Sequence, residues 1–466
     1  MTATPSPQPA PKHDPYAALR EPNYRYFISG WVLASMGLQM QGAALLWEIY
    51  QKTGDALSLG YVSLARALPV ILLALPAGQI VDLLDRKRVL IATQIAFAAA
   101  SILLAVGSFH DVSVWWMYVL VSLTGCARVF NGPSRSSLLP QIVRPENFHN
   151  AVTWNSNMFQ VSAISGPIVA GGLIALTAGR GMGTPDASGV AHGVAWPVYA
   201  ITAATCVVFA FTCSFVRPRH RRQGMHGRII DAIRPSVMLP GMLEGARYVW
   251  REKTVLGAIA LDLMAVLLGG ATALLPVYAK DILHVGPAGY GALKSAQYVG
   301  ALVMTLHLAH RPPFRRAGRT LLLSVAGFGL FTICFGLATN FYVALAMLFI
   351  LGALDGISVV IRHVLVSVRT PDRLRGRVSA VNSVFIESSN ELGGFESGAL
   401  AKIAGTWLGV VGGTVFSVVS GGVGTLLVVA GVAVWLPALR RLGALDLPKS
   451  EVEEAAEEEE AARSSV

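Results

Sequence analysis

Charge is what this sequence has least of. Of its 466 residues only 14% are Asp, Glu, Lys or Arg, against about a quarter in a soluble domain. That shortage excludes a large soluble enzyme, whose surface so few charges cannot coat. Disorder is excluded from the other side, because 53% of the chain is apolar and disordered chains are poor in apolar residues. Cysteine is scarce too. Cys126, Cys206, Cys213 and Cys334 have neither metal-ligand spacing nor a disulfide pattern, and they fall inside hydrophobic segments. No phosphate-binding G-x-x-x-x-G-K-[ST] occurs, so ATP drive has no support, and neither H-E-x-x-H nor G-x-S-x-G is present. A membrane-embedded transferase would need such a nucleophile or metal site. No cofactor is expected.

What is present in abundance is hydrophobic sequence, with a mean hydropathy of +0.55. A bilayer-spanning helix needs about 20 apolar residues. Twelve such segments can be read: 26–47, 58–80, 89–107, 114–134, 151–176, 195–215, 254–279, 289–309, 319–337, 341–361, 378–401 and 408–436. The expected fold class is therefore all-α, a polytopic membrane protein. Its divisions are a tail at 1–23, a six-helix half at 24–215, a linker at 216–253, a second six-helix half at 254–437 and an acidic tail at 438–466. The Pro-rich first residues lack the apolar core of a signal peptide, so the first helix serves as insertion signal.

The bases report orientation. With both termini in the cytoplasm, 30 of the 37 Lys and Arg fall on the cytoplasmic side and four (Lys52, Arg180, Lys280, Lys402) on the opposite side. Three remain inside spans: Arg66, Arg128 and Lys294. The net charge of +10 is thus an orientation signal, not a nucleic-acid surface. Tyr26, Trp47, Trp115, Trp116, Trp196, Trp250 and Trp435 sit near span ends as an interfacial belt. The Gly-rich stretch 179–193 reads as an outer loop, and the acidic run Glu451 to Glu460 as a solvated tail.

The two halves repeat. A shift of 227 pairs Gly125 with Gly352, Arg135 with Arg362, Asn155 with Asn382, Gly166 with Gly393 and Gly171 with Gly398, and a shift of 228 pairs Arg66 with Lys294. Parallel repeats of this kind place a substrate site between the halves near the bilayer midplane.

After the second span the chain reads Gly78-Gln-Ile-Val-Asp82-Leu-Leu-Asp85-Arg86-Lys87-Arg88. This resembles the signature loop of the major facilitator superfamily, with Leu83 and Asp85 departing from it. Arg128-Val-Phe-Asn-Gly132 resembles the family's embedded-arginine motif, and Gly166-Pro167-Ile-Val-Ala-Gly171-Gly172 the Gly-Pro kink of its antiporters, with one extra residue. Asp355 to Arg362, Thr370 to Asn382, Ser389 to Gly398 and Asp262 to Lys280 together resemble the drug:proton antiporter branch that includes enterobactin and macrolide exporters, often labelled transmembrane secretion effector. The resemblance covers about 20 to 440. It implies two pseudo-symmetric six-helix halves, a bacterial inner-membrane location, and gating by Asp82 and Arg86. Asp82 would cap the start of helix 11 after Arg377, where a helix N-terminus carries about half a positive charge. Gly78, Gly166, Pro167 and Gly171 would serve helix packing.

A charge at the bilayer centre costs about 2.5–3.5 kcal/mol on insertion scales, so the embedded charges carry the functional expectations. Asp262, about 12 Å along helix 7 at about 1.5 Å per residue, is either a proton carrier or a static partner, for instance of Arg128. Arg128 and Asp355 are expected to pair when the cytoplasmic side closes. Glu387 and Glu391, one turn apart on one face of helix 11, are further proton-coupling candidates, and Arg66, which matches Glu391 in depth, is expected to pair with it as a gating or purely structural ion pair. Gln39, Gln41, Asn155, Gln160 and Lys294 are candidates for the substrate cavity. The expected partners are a small molecule, protons and the lipid bilayer, with no nucleic acid, around a monomer. Two functions stay open: proton-coupled export of drugs, macrolides or siderophores, and a lysolipid flippase of the same fold.

Overall fold

The computed structural model describes residues 14–180, 184–185, 191–219, 244, 246–311 and 314–443. The first half comprises α1 (Pro22–Thr53), α2 (Ala56–Leu83), α3 (Arg86–Phe109), α4 (Val114–Ile142), α5 (Phe148–Gly179) and α6 (Trp196–Phe215). The second holds α7 (Lys253–Leu268), α8 (Gly286–Ala309), α9 (Ala317–Gly336), α10 (Phe341–Arg369) and the run Asp372–Trp435. Gly409 interrupts that run at φ 72°, ψ 169°, a conformation glycine adopts without penalty. It separates α11 (372–408) from α12 (410–435).

Helix ends follow local chemistry. Asp55 accepts a hydrogen bond from Leu57 N (3.2 Å) at the start of α2, and Asn340 from Tyr342 N (2.9 Å) at the start of α10. Asp85 accepts from Lys87 N (3.0 Å) and Arg88 N (3.3 Å). Asp85 thus caps α3, which explains an acid where the signature loop usually has glycine. The seventh span is discontinuous. α7 stops at Gly269-Gly270 and continues as the 3-10 turn Ala271–Leu274, then Leu275–Val277, then the π-turn Tyr278–Ile282.

Several helices run past the expected spans. α10 reaches Arg369 rather than 361, and α4 reaches Ile142 rather than 134. Hydrophobic stretches mark where lipid ends, whereas helical hydrogen bonding continues into polar turns. Eight helical runs are long and apolar enough to cross a membrane, and one of them, Gly376–Trp435, holds both α11 and α12. α1, α4 and α8 are not among them. These are the helices that carry Gln39, Gln41 and Glu48, Arg128 and Arg135, and Lys294.

The packing repeats. α1 lies on α5 and α6, α2 on α4, and α3 on α4 and α6, while α8 lies on α10 and α9 on α10. The repeat glycines mark equivalent crossings. A Cβ on Gly125 would meet Pro69, and one on Gly352 would meet Gln297, 228 positions on. Gly166 abuts Met36 and Gln39, and Gly393 abuts Val266 and Leu267. Gly171 abuts Pro287 on α8, and Gly398 abuts Ala56 and Gly60 on α2. The two halves therefore meet through α2 against α11 and α5 against α8, contacts that a pseudo-twofold exchanges.

One face carries both described chain ends and the bases Lys87, Arg88, Arg315, Arg316, Arg319, Arg369 and Arg377; it is called the basic face below, and the opposite one the far face. A single apolar cluster joins the halves toward the far face, with Leu45, Ile49 and Leu59 beside Leu274, Tyr278 and Leu293. Toward the basic face each half has its own cluster, around Phe27, Phe97 and Phe209 in the first and around Leu261, Leu321 and Leu365 in the second. Among the described residues the apolar packing joins the halves toward the far face and stays within each half toward the basic one. Trp47, expected in the interfacial belt, is 6% exposed and stacks on Tyr290 of the other half at 5.6 Å. Trp115, Trp250 and Trp435 are exposed. Most of the linker, most of the loop 179–193 and the acidic tail beyond residue 443 lie outside the described residues.

Candidate functional site

Three groups of polar residues are held between the helices. The first closes the far face. The Tyr50 hydroxyl donates to Asp281, and Lys280 stands over the Tyr50 ring at 5.5 Å. Lys402 on α11 pairs with Asp55 before α2 at 3.2 Å. Beside them Glu48 accepts from Tyr199 (2.9 Å) and pairs with Lys52 (3.3 Å), which also reaches Asp111 (2.9 Å). None of these contacts was legible in the sequence, where they are isolated residues near span ends.

The second group stands where the halves begin to part. The cross-half contacts furthest from the far face are Ser63 against Gly394 and the bond from Ser295 Oγ to the Ile164 carbonyl at 2.7 Å. Among the described residues no hydrogen bond, ion pair or ring contact joins the halves nearer the basic face. At this roof lie Arg66, Lys294 and Glu391, with Arg128 beyond. Arg66 is within electrostatic reach of Glu391, Arg128, Tyr290 and Tyr298, but the expected Arg66–Glu391 ion pair is not among the ion pairs of the described residues. Lys294 is within reach of Arg66 and Glu391. The Arg66 guanidinium also approaches α1, 3.6 Å from where a Cβ on Gly42 would stand. Glu387, one turn nearer the basic face on α11, is exposed. Tyr298 lies within reach of Arg128 and Asp355. The expected Arg128–Asp355 ion pair is not among the ion pairs of the described residues. Tyr298 of α8, within reach of both, stands between them.

The third group is internal to the second half and corrects the expectation for Asp262. Its partner is Arg362, not Arg128. Both are buried, with 7% and 3% exposure. Arg362 falls one residue beyond the apolar stretch 341–361, but α10 runs on to Arg369 and carries it inward. Asp262, Asp355, Ser324, Phe328 and Ser358 line one small cavity between α7, α9 and α10. Asp355 has no ion-pair partner among the described residues. At the equivalent place in the first half, Arg135 stacks over the Trp31 ring at 4.7 Å, so a cation–π contact stands where the second half has an acid.

Other expectations are redistributed. Gln41 does not line a cavity: it is 6% exposed and accepts from Ser101 Oγ (2.6 Å) within the first half. A polar residue on a helix points wherever its phase directs it, here toward α3. Gln39 packs against Gly166. Asn155 accepts from the Tyr24 hydroxyl at 3.4 Å, and Gln160 is half-buried on α5. Gly166 and Gly171 stand at close crossings, as above, with Pro167 backing onto Gly291. Gly78 does not: a Cβ there would meet nothing within 4 Å, because the face of α2 that packs on α4 is the neighbouring one carrying Ala77. Arg86 Nη1 reaches the Ser137 carbonyl at 3.4 Å. The side chain of Asp82 lies outside the described residues.

Two six-helix halves around buried charge, sealed on one face, define a polytopic membrane transporter. The chain belongs to the Major Facilitator Superfamily, whose family model matches residues 27–394. It is 25% identical over 413 residues to the multidrug efflux pump Tap of Mycolicibacterium fortuitum, covering 87% of this chain and 93% of the relative. It is 27% identical over 140 residues to macrolide efflux protein A of Streptococcus pyogenes, 30% of this chain and 34% of that one. Over 154 residues it is 27% identical to the staphyloferrin A transporter of Staphylococcus aureus, covering 33% of this chain and 39% of that protein. Among solved structures, a bacterial homologue of the human lysosomal transporter Spinster, in an inward-facing and occupied conformation, superposes with a TM-score of 0.70 at 13% identity, covering 92% of this chain and 99% of that one.

Proposed function

We propose that this transporter is a proton-coupled exporter of small amphipathic molecules that works by alternating access. The observation that carries the reading is the contrast between a far face sealed by cross-half packing and a basic face that is parted, with ionisable residues at the roof between them. The bias of Lys and Arg supports taking the basic face as cytoplasmic, with both termini there and the chain in a bacterial inner membrane. Cargo then enters from the cytoplasm, and export follows when the halves rock about the roof. The efflux relatives support that direction. Each half carries its own helix contacts, so a monomer is a sufficient unit.

Proton coupling is assigned to Asp262, Asp355, Glu387 and Glu391. Asp262 and Asp355 share one cavity while Arg362 neutralises only one of them, so a proton on the second removes the unmatched charge. Gating is assigned to the signature loop, with Asp82 and Arg86 closing against the start of α11, and to Arg128 with Asp355. The test is proton flux in proteoliposomes over a drug and siderophore panel, comparing wild type with Asp262→Asn and Asp355→Asn. Loss of substrate-coupled proton movement in at least one variant is expected. Unchanged coupling in both refutes the assignment to this cavity.

A further inference from the structure

Three bases are held inside the membrane at the junction of the halves, and none of them is matched. Among the described residues Arg66, Arg128 and Lys294 make no hydrogen bond and no ion pair, unlike Arg362, Lys52, Lys402 and Arg377, which all do. The acid facing them is Glu391, within reach of Arg66 and Lys294. Asp355 lines the cavity inside the second half, with Tyr298 between it and Arg128. Arg66 and Lys294, the two bases nearest the roof, share Glu391 as the one carboxylate within electrostatic reach of both.

Their placement matters as much as their number. Arg66 and Arg128 belong to the first half and Lys294 to the second, so repulsion between Arg66 and Lys294 acts across the interface that must move. Embedded bases without partners are costly and normally pair or face water. Here the parted basic face supplies the water, and the sealed far face stops directly above them.

We propose that this roof is the recognition site for a carboxylate on the cargo, which Arg66 and Lys294 grip from opposite halves with Arg128 beside them. The substrate class is an amphipathic organic carboxylate of low molecular weight. Its apolar body lies along the parted surfaces below the roof. A bound carboxylate offsets the repulsion between the halves, so occupied protein closes its basic face more readily than empty protein. The inference rests on the reading of the parted region as the cargo path, but its test needs neither transport nor a proton gradient.

The test is equilibrium binding to the full chain in nanodiscs, using two matched fluorescent probes, 1-pyrenebutyrate and its neutral amide. Empty nanodiscs give the partition background. The wild type is expected to bind the carboxylate at least about tenfold more tightly than the amide, a factor equivalent to about 1.4 kcal/mol. Lys294→Gln and Arg66→Gln are expected to bring the two probes to similar affinity, while Lys294→Arg keeps the preference and shows that the fold survives substitution there. Four results overturn the proposal. They are no saturable binding of the carboxylate by wild type, equal affinity for both probes, a preference unchanged in both glutamine variants, and displacement of the probe by lysophosphatidate but by no soluble carboxylate. The last would assign the site to a lipid headgroup.

Discussion

The buried pair Asp262–Arg362 is the sharpest place to perturb the second half. Arg362→Met keeps the bulk of the side chain and deletes its charge, leaving Asp262 with 7% exposure and no ion-pair partner. Breaking a buried pair from one side costs about 3–5 kcal/mol. For a bundle the size of one half, each kcal/mol moves the midpoint by about 2–4 °C, so the expected loss is about 6–20 °C. Asp262→Asn should cost less. Arg362 lies seven residues before the end of α10 at Arg369, and a freed guanidinium can extend along its stem toward the basic face. A short aspartate on α7 has no such escape. The double variant Asp262→Asn with Arg362→Met leaves no unmatched charge and should recover part of the loss. The assay is the apparent unfolding midpoint of detergent-purified protein at one fixed scan rate, followed by tryptophan fluorescence. The reasoning fails if the double variant loses as much as the two single losses added, because independent sites add and coupled ones do not.

Closure of the far face depends on glycines that let backbones touch. Gly171→Val would drive a side chain into the Pro287 carbonyl, whereas the neighbouring Gly172 meets nothing within 4 Å. Labelling of a cysteine at Ser63 by an impermeant maleimide from the far side should rise in Gly171→Val and stay at the wild-type level in Gly172→Val; equal labelling would refute the role given to Gly171. Asp85→Ala removes the cap of α3 and should cost about 0.5–2 kcal/mol, read in the same thermal assay. Gly78→Ala, which would meet open space, should be neutral or slightly stabilising.

Much of the architecture is written locally. Each span is set by a stretch of about 20 apolar residues, and its direction by the bases at its ends, so hydropathy and the Lys/Arg bias delimited the spans without any contact being known. The duplication was equally legible, because Gly125 and Gly352, or Gly171 and Gly398, must recur where equivalent helices cross. Composition along the chain also singled out some of the embedded charges, since cost alone makes Arg66, Lys294 and Asp262 conspicuous, but it missed Arg362, which is buried.

What they touch was not legible. A helix turns 100° per residue, so Gln41 and Gln39, two positions apart, point to different neighbours, one to Ser101 on α3 and one to Gly166 on α5. Arg362 could be read as a loop base only while the end of α10 was unknown, and its pairing with Asp262 spans 100 residues of chain. The seal made by Tyr50 with Asp281 and by Asp55 with Lys402 joins residues more than 200 positions apart. Such contacts exist only once the two halves are docked. The sequence alone determined the all-α membrane class, the duplication and several of the charges carried between the helices. The tertiary structure decided which charges are matched and which are left facing the cleft, because pairing depends on helix phase and on how far apart the halves stand.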